Sequence, residues 1–195
     1  MYLFDDYFNT NKVYHIISLH DLKTAITKGI SYDDKITFNT KYKGFHSAIQ
    51  HEKLDKVPQW VKRDKAIFAS INYPQKNHFH PDSVVLGLKI DPEKCWVANE
   101  DLANNIYAPF VLKNIMEYND AESYMNTKAK DLLKEYWETS LSFVDNLNYR
   151  YDLRKDYNAE VLVLHPILPI NIDVEYIISG HHVFKPEEWK EKFCH

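Results

Sequence analysis

The stretch Val13–Gly29, VYHIISLHDLKTAITKG, constrains the chain most, because a short apolar strand runs straight into a helix that ends on glycine. Val13, His15 and Ile17 alternate with Tyr14, Ile16 and Ser18, the period-two pattern of a strand with a buried face. His15 therefore shares a face with two apolar residues. Ser18 followed by Asp21 fits a capping box, and Leu22, Ala25 and Ile26 form a helical stripe. Gly29 supplies the left-handed position that closes the helix. A strand, a polar residue and a capped helix together offer side chains and backbone N–H groups to a ligand.

With 195 residues, 45% of them apolar and 14% aromatic, the chain can bury a core. That length favours one domain over residues 1–195. Residues 1–12 form a lead-in whose Tyr2, Phe4, Tyr7 and Phe8 are suited to packing on the domain or on a partner. KITF, within 30–39, carries a weak strand signal. AIFASI (66–71) reads as a strand, residues 72–82 as a histidine-bearing loop, and VVLGLKI (84–90) as a strand apolar enough to be central. Residues 95–98 read as a short strand and 100–107 as helical. The clearest helical period runs over 121–147, with Leu133, Trp137, Leu141 and Val144 in one stripe beside Leu132 and Tyr136. A polar, aromatic connector, NYRYDLRKDYN, then opens onto the strand AEVLVL. Residues 170–178 resume as strand, and Pro186–Phe193 reads as a terminal helix with proline in its first turn. Strands mixed with segregated helices, without regular βαβ alternation, predict an α+β fold.

Several function classes fall away. Four glycines leave no Gly-rich phosphate loop of the P-loop or dinucleotide-fold kind. A net charge of −4 argues against a general nucleic-acid coat protein. The basic run over 41–65 (Lys41, Lys43, Lys53, Lys56, Lys62, Arg63, Lys65) reads either as a solvated helical surface or as a local patch. Cys95 and Cys194 belong to no metal or redox spacing, so no disulfide framework is expected and a reducing cytoplasm fits. No apolar run approaches a membrane span, and the N-terminus lacks the basic start of a signal peptide, so no membrane association is expected. His78, His80, His181, His182 and His195 do not make a metal-ligand spacing. There is no GxSxG elbow for a hydrolase, and Cys194 next to His195 is a weak nucleophile reading.

A distributed signal remains. VYHIISLHDLKTAITKGIS resembles the opening of the ADP-ribosyltransferase superfamily, in which a Tyr-His-x-x-Ser/Thr strand precedes a helix ending in Leu/Ile and Gly. Within it, the layout is most similar to the DarT-type DNA ADP-ribosyltransferase toxins. NAEVLVLHPILPINI resembles the strand that carries their catalytic glutamate, AIFASI stands where their middle strand stands, and VVLGLKID and KCWVANEDLANNIY follow in the same order.

The resemblance implies a split mixed β-sheet core with flanking helices and an NAD-binding cleft between the sheets. It implies an NAD-dependent transferase, with NAD as co-substrate, no metal, a single-stranded nucleic acid as acceptor and an antitoxin as a partner. Its transition state is oxocarbenium-like, as in glycoside cleavage, and a carboxylate stabilises the developing charge. Glu160 takes that role. His15 and Ser18 anchor the dinucleotide, and Phe68, Tyr42 and Tyr73 are all open as the ring stacked on nicotinamide. The family's arginine corresponds to Arg63. Tyr149, Tyr151, Arg154 and Tyr157, with Arg150 and Lys155, combine stacking surfaces and cations for splayed bases. By residue type alone, Glu160 reads as an exposed strand end and His15 as a core histidine. An RNA 2′-phosphotransferase-like enzyme and a non-catalytic nucleic-acid or protein-binding module are the alternatives.

Overall fold

The computed structural model describes residues 1–32, 42–180 and 182–194. The KITF signal, Lys41, His181 and His195 lie outside them. In chain order the elements are α1 Tyr7–Thr10, β1 Val13–Ser18, α2 Leu22–Lys28, α3 Lys43–His51, β2 Ile67–Ser70, β3 Ser83–Leu88, β4 Cys95–Asn99 and α4 Glu100–Leu112. They continue as α5 Asn119–Asn126, α6 Lys128–Glu138, β5 Leu141–Ser142, α7 Phe143–Tyr149, β6 Ala159–Val163, β7 Ile172–Ser179, β8 His182–Phe184 and α8 Pro186–Phe193. This is an α+β architecture. No helix among the described residues is long and apolar enough to cross a membrane. The chain divides into two compact units, one of Met1–Ser31, Phe68–Asp91 and His165–His195, the other of Tyr32–Ile67 and Pro92–Leu164.

The first unit is built on strands in the order β2-β1-β3-β7-β8. Their pairings are antiparallel where a mixed sheet was expected. β1 runs along β3 from Val13 opposite Leu88 to Ser18 opposite Ser83, and β3 pairs with β7 on its other side. All six residues of β3 are buried, which accounts for its near-continuous apolar text. Within β1, Val13, Tyr14, His15 and Ile17 are buried, so both faces are covered. Phe4 of the lead-in stacks on Tyr14 with ring centroids 3.6 Å apart. The segment is tied down by Asn72, whose side chain accepts from Phe4 N at 3.1 Å and donates to Phe4 O at 2.7 Å. At Gly87 an added Cβ would meet the side chains of Glu175 and Lys12, which pair there at 2.8 Å.

The expected capping box does not form. A turn of 3₁₀-helix, Leu19–Asp21, separates β1 from α2, and the Ser18 hydroxyl accepts from His20 N at 3.3 Å. Asp21 then precedes the α-helix without a side-chain cap. On α2, Ala25 is buried but Ile26 is 45% exposed, so the stripe is narrower than its spacing predicts. Gly29 has φ +88°, and its missing Cβ leaves room for the Ile167 carbonyl.

In the second unit the strands run β5-β4-β6, again antiparallel. The single helix predicted over 121–147 is three helices and a strand. Thr127, at φ −122° and ψ −92°, leaves helical geometry between α5 and α6. Leu141 and Ser142 are extended and pair with Val97 and Trp96 of β4. Ser142 then caps α7, its hydroxyl accepting from Asp145 N at 3.0 Å. The predicted stripe nevertheless faces the interior over α6, where Leu133, Tyr136 and Trp137 are buried and the Trp137 indole donates to Ile49 O at 2.9 Å. α8 spans the residues expected of it.

Candidate active site

Glu160 is the second residue of β6 and lies opposite Ala98 of β4. It is only 4% exposed, and Arg63 only 3%. An Arg63 guanidinium nitrogen, Nη1, donates to Glu160 Oε1 at 2.5 Å and to the Tyr136 hydroxyl at 2.7 Å. That hydroxyl in turn donates to the same carboxylate oxygen at 2.8 Å. The Arg63 guanidinium lies 5.1 Å from the centre of the Tyr136 ring. All three residues belong to the second unit.

Each element holds its member by local chemistry. Arg63 opens a 3₁₀ turn after the buried Val61, and its N–H donates to the Gln50 side chain of α3 at 2.6 Å. Tyr136 sits one helical turn beyond Leu132 and Leu133 on α6, so the apolar stripe that buries the helix also carries the hydroxyl inward. A buried tyrosine hydroxyl requires a hydrogen-bond partner, and here it has two.

The electrostatics follow from burial. Desolvation pushes the Arg63 guanidinium down, and the Glu160 carboxylate and Tyr136 more than offset it, so its pKa lies above the ordinary value. Burial holds the Tyr136 phenol well above its ordinary range. Burial, followed by the Glu160 charge, raises Tyr157 as well. His46 of α3 is also buried, and desolvation followed by the Arg63 charge lowers it to about 3. Glu100, first residue of α4 and half-buried, is raised by burial and then by the Glu160 carboxylate, against the opposing effects of its Asn104 hydrogen bond and Arg63.

Of the residues singled out in the sequence, Arg63 and Glu160 are in direct contact. His15, Ser18 and Phe68 belong to the first unit. There His15 Nδ1 lies 2.6 Å from the Phe68 carbonyl; because a carbonyl only accepts, Nδ1 carries the proton in this contact. Ser18 is exposed at the end of β1. Tyr73, in the same unit, donates its hydroxyl to Tyr14 O at 3.2 Å. Tyr42 precedes α3 in the second unit, 37% exposed and 5.8 Å from the Tyr107 ring. In the connector before β6, Tyr149 is 66% exposed and the Arg154 guanidinium stacks 3.4 Å over Tyr151. Tyr157 differs from its neighbours: it is buried, and its hydroxyl donates to Thr139 O at 3.2 Å.

Tyr136, His46 and Glu100 are site residues that the sequence reading did not single out. For Tyr136 a signal existed: a tyrosine inside an otherwise apolar stripe needs an interior partner. Among the described residues, no group of three or more His, Cys, Asp or Glu side chains is placed to hold a metal ion. Among the described residues, neither the buried Cys95 nor the exposed Cys194 forms a disulfide. No family model and no curated protein matches the sequence, and no solved structure matches the fold.

Proposed function

We propose that this chain is an NAD-dependent ADP-ribosyltransferase of the DarT type, transferring ADP-ribose to a single-stranded nucleic acid with Glu160 as the catalytic carboxylate. The observation that carries the proposal is the Arg63–Tyr136–Glu160 cluster. Burying an arginine and a glutamate gains little stability over an apolar set of the same volume, so packing alone is a poor account of it. Buried charges with specific partners concentrate at functional sites. Two of the three residues are those the family resemblance implies.

In this reading, loss of nicotinamide leaves positive charge on the ribose, and Glu160 stabilises it. Arg63 and Tyr136 both fix Oε1, so the carboxylate pays no reorganisation as charge develops. The family resemblance assigns the dinucleotide to His15 and Ser18, and the ring stacked on nicotinamide to Phe68, Tyr42 or Tyr73. Exposed Tyr149 and the Arg154–Tyr151 stack take the bases of the acceptor.

Incubation with radiolabelled NAD and single-stranded oligonucleotides tests this. Label should pass to the oligonucleotide and be lost in Glu160→Gln, which keeps an acceptor oxygen for Arg63 and Tyr136. Glu160→Ala is the poorer variant, because stranding a buried guanidinium costs about 3–5 kcal/mol. No labelling of DNA, RNA or protein, with no NAD binding, overturns the proposal.

A further inference from the structure

We infer that Glu100 is a second catalytic carboxylate of this site, the base that takes the proton from the acceptor as it attacks the ribose. The inference rests on the transferase reading above. Its basis is the register between β4 and β6. Ala98 lies opposite Glu160 and Asn99 opposite Ala159, and Glu100 N donates to Asn158 O at 2.8 Å, extending the ladder one step. Alternate residues of a strand share a face, so Glu100 is the diagonal neighbour of Glu160. Diagonal neighbours lie about 7–8 Å apart, within reach of long side chains, so the Glu100 and Glu160 carboxyl groups face a common space and act on one another's charge. Paired carboxyl groups of glycoside-cleaving sites that leave room for an incoming nucleophile are spaced about 6.5–9.5 Å apart.

The two glutamates have opposite surroundings. Glu160 is closed in by Arg63 and Tyr136, whereas Glu100 is half-buried. Asn158 Nδ2 donates to Glu100 Oε2 at 3.3 Å and to Asp101 Oδ1 at 2.9 Å, which orients the Glu100 side chain. The groups that act on it are the Glu160 and Asp101 carboxylates, the Arg63 guanidinium, the Asn104 side chain and the N-terminal end of α4. Burial first, and then the carboxylates, make it hold a proton more readily; Asn104 and Arg63 oppose them, as does the helix end. Divergent environments of this kind divide labour between two acids: one stays a charge stabiliser and the other exchanges protons.

The step balances. The bond between the ribose C1′ and the nicotinamide nitrogen breaks, its electron pair leaving with neutral nicotinamide. The acceptor's nitrogen or oxygen forms the new bond to C1′, and its proton passes to a Glu100 oxygen and then to water.

The test compares transfer by wild type, Glu100→Gln and Glu100→Asp across pH, together with a carboxyl NMR titration of Glu100 in wild type and Glu160→Gln. Glu100→Gln should lower kcat about 10²–10⁴-fold and abolish the acidic limb of the kcat/KM profile, with Glu100→Asp restoring part of both. The Glu100 titration midpoint should fall in Glu160→Gln. A wild-type pH profile in Glu100→Gln overturns the base role while leaving the transferase reading intact. A midpoint indifferent to Glu160→Gln overturns the pairing whether or not activity is found. Absence of transfer by wild type sinks the transferase reading and the base role with it.

Discussion

His46 shows how the interior of the second unit constrains a single residue. Its ring is buried at 8% exposure, and desolvation together with the Arg63 charge lowers it from 6.5 to about 3. Between those values the unfolded chain binds a proton that the folded chain does not. The stability contributed by neutral His46 is therefore complete above 6.5 and is lost as pH falls toward 3, by about 1.4 kcal/mol per pH unit at most. Denaturant unfolding of wild type and His46→Phe at about pH 7 and about pH 4.5 should show a smaller acid loss in the variant. Equal losses would mean that His46 charges within the fold. This residue was invisible in the sequence because histidine in an amphipathic helix reads equally as surface or core. Glu160 is the opposite case. By residue type it is an exposed strand end, and only its neighbours across the unit make it an interior charge.

At the scale of elements, the helical period over 121–147 predicted which residues of α6 face inward, but not that the helix breaks twice. Periodicity records which side is apolar, and apolar spacing persists across a break when the next element also faces the interior. The break at Leu141–Ser142 is stabilised by pairing with β4 and by the Ser142 cap on α7. Ser142→Ala should cost about 1 kcal/mol, measured by denaturant unfolding. No loss would mean that the cap contributes nothing to ending the strand and starting α7. Glu100 was hidden by a related ambiguity. An acidic residue in a helical first turn is accounted for by the helix dipole alone. Its proximity to Glu160 is a fact of strand register, which no local pattern contains.

At the scale of the whole molecule, each compact unit is assembled from segments distant in sequence. The second unit's two segments are separated by Phe68–Asp91, which carries β3, and every residue of β3 is buried. A fragment spanning residues 32–164 would hold β3 without β1 and β7, its partners in the first unit. Such an apolar, unpaired strand is an aggregation site, so the fragment should be insoluble or self-associated on size-exclusion chromatography. A soluble monomeric fragment would contradict that division. The α+β class, the central place of β3 and the terminal helix α8 were determined by the sequence itself, because each rests on local periodicity or on a residue with one strong backbone preference. Tertiary structure alone decided that Arg63, Tyr136 and Glu160 meet. Arg63 and Glu160 are 97 positions apart and Tyr136 and Glu160 are 24, and burial in a shared interior turns those distant residues into a single ionic cluster.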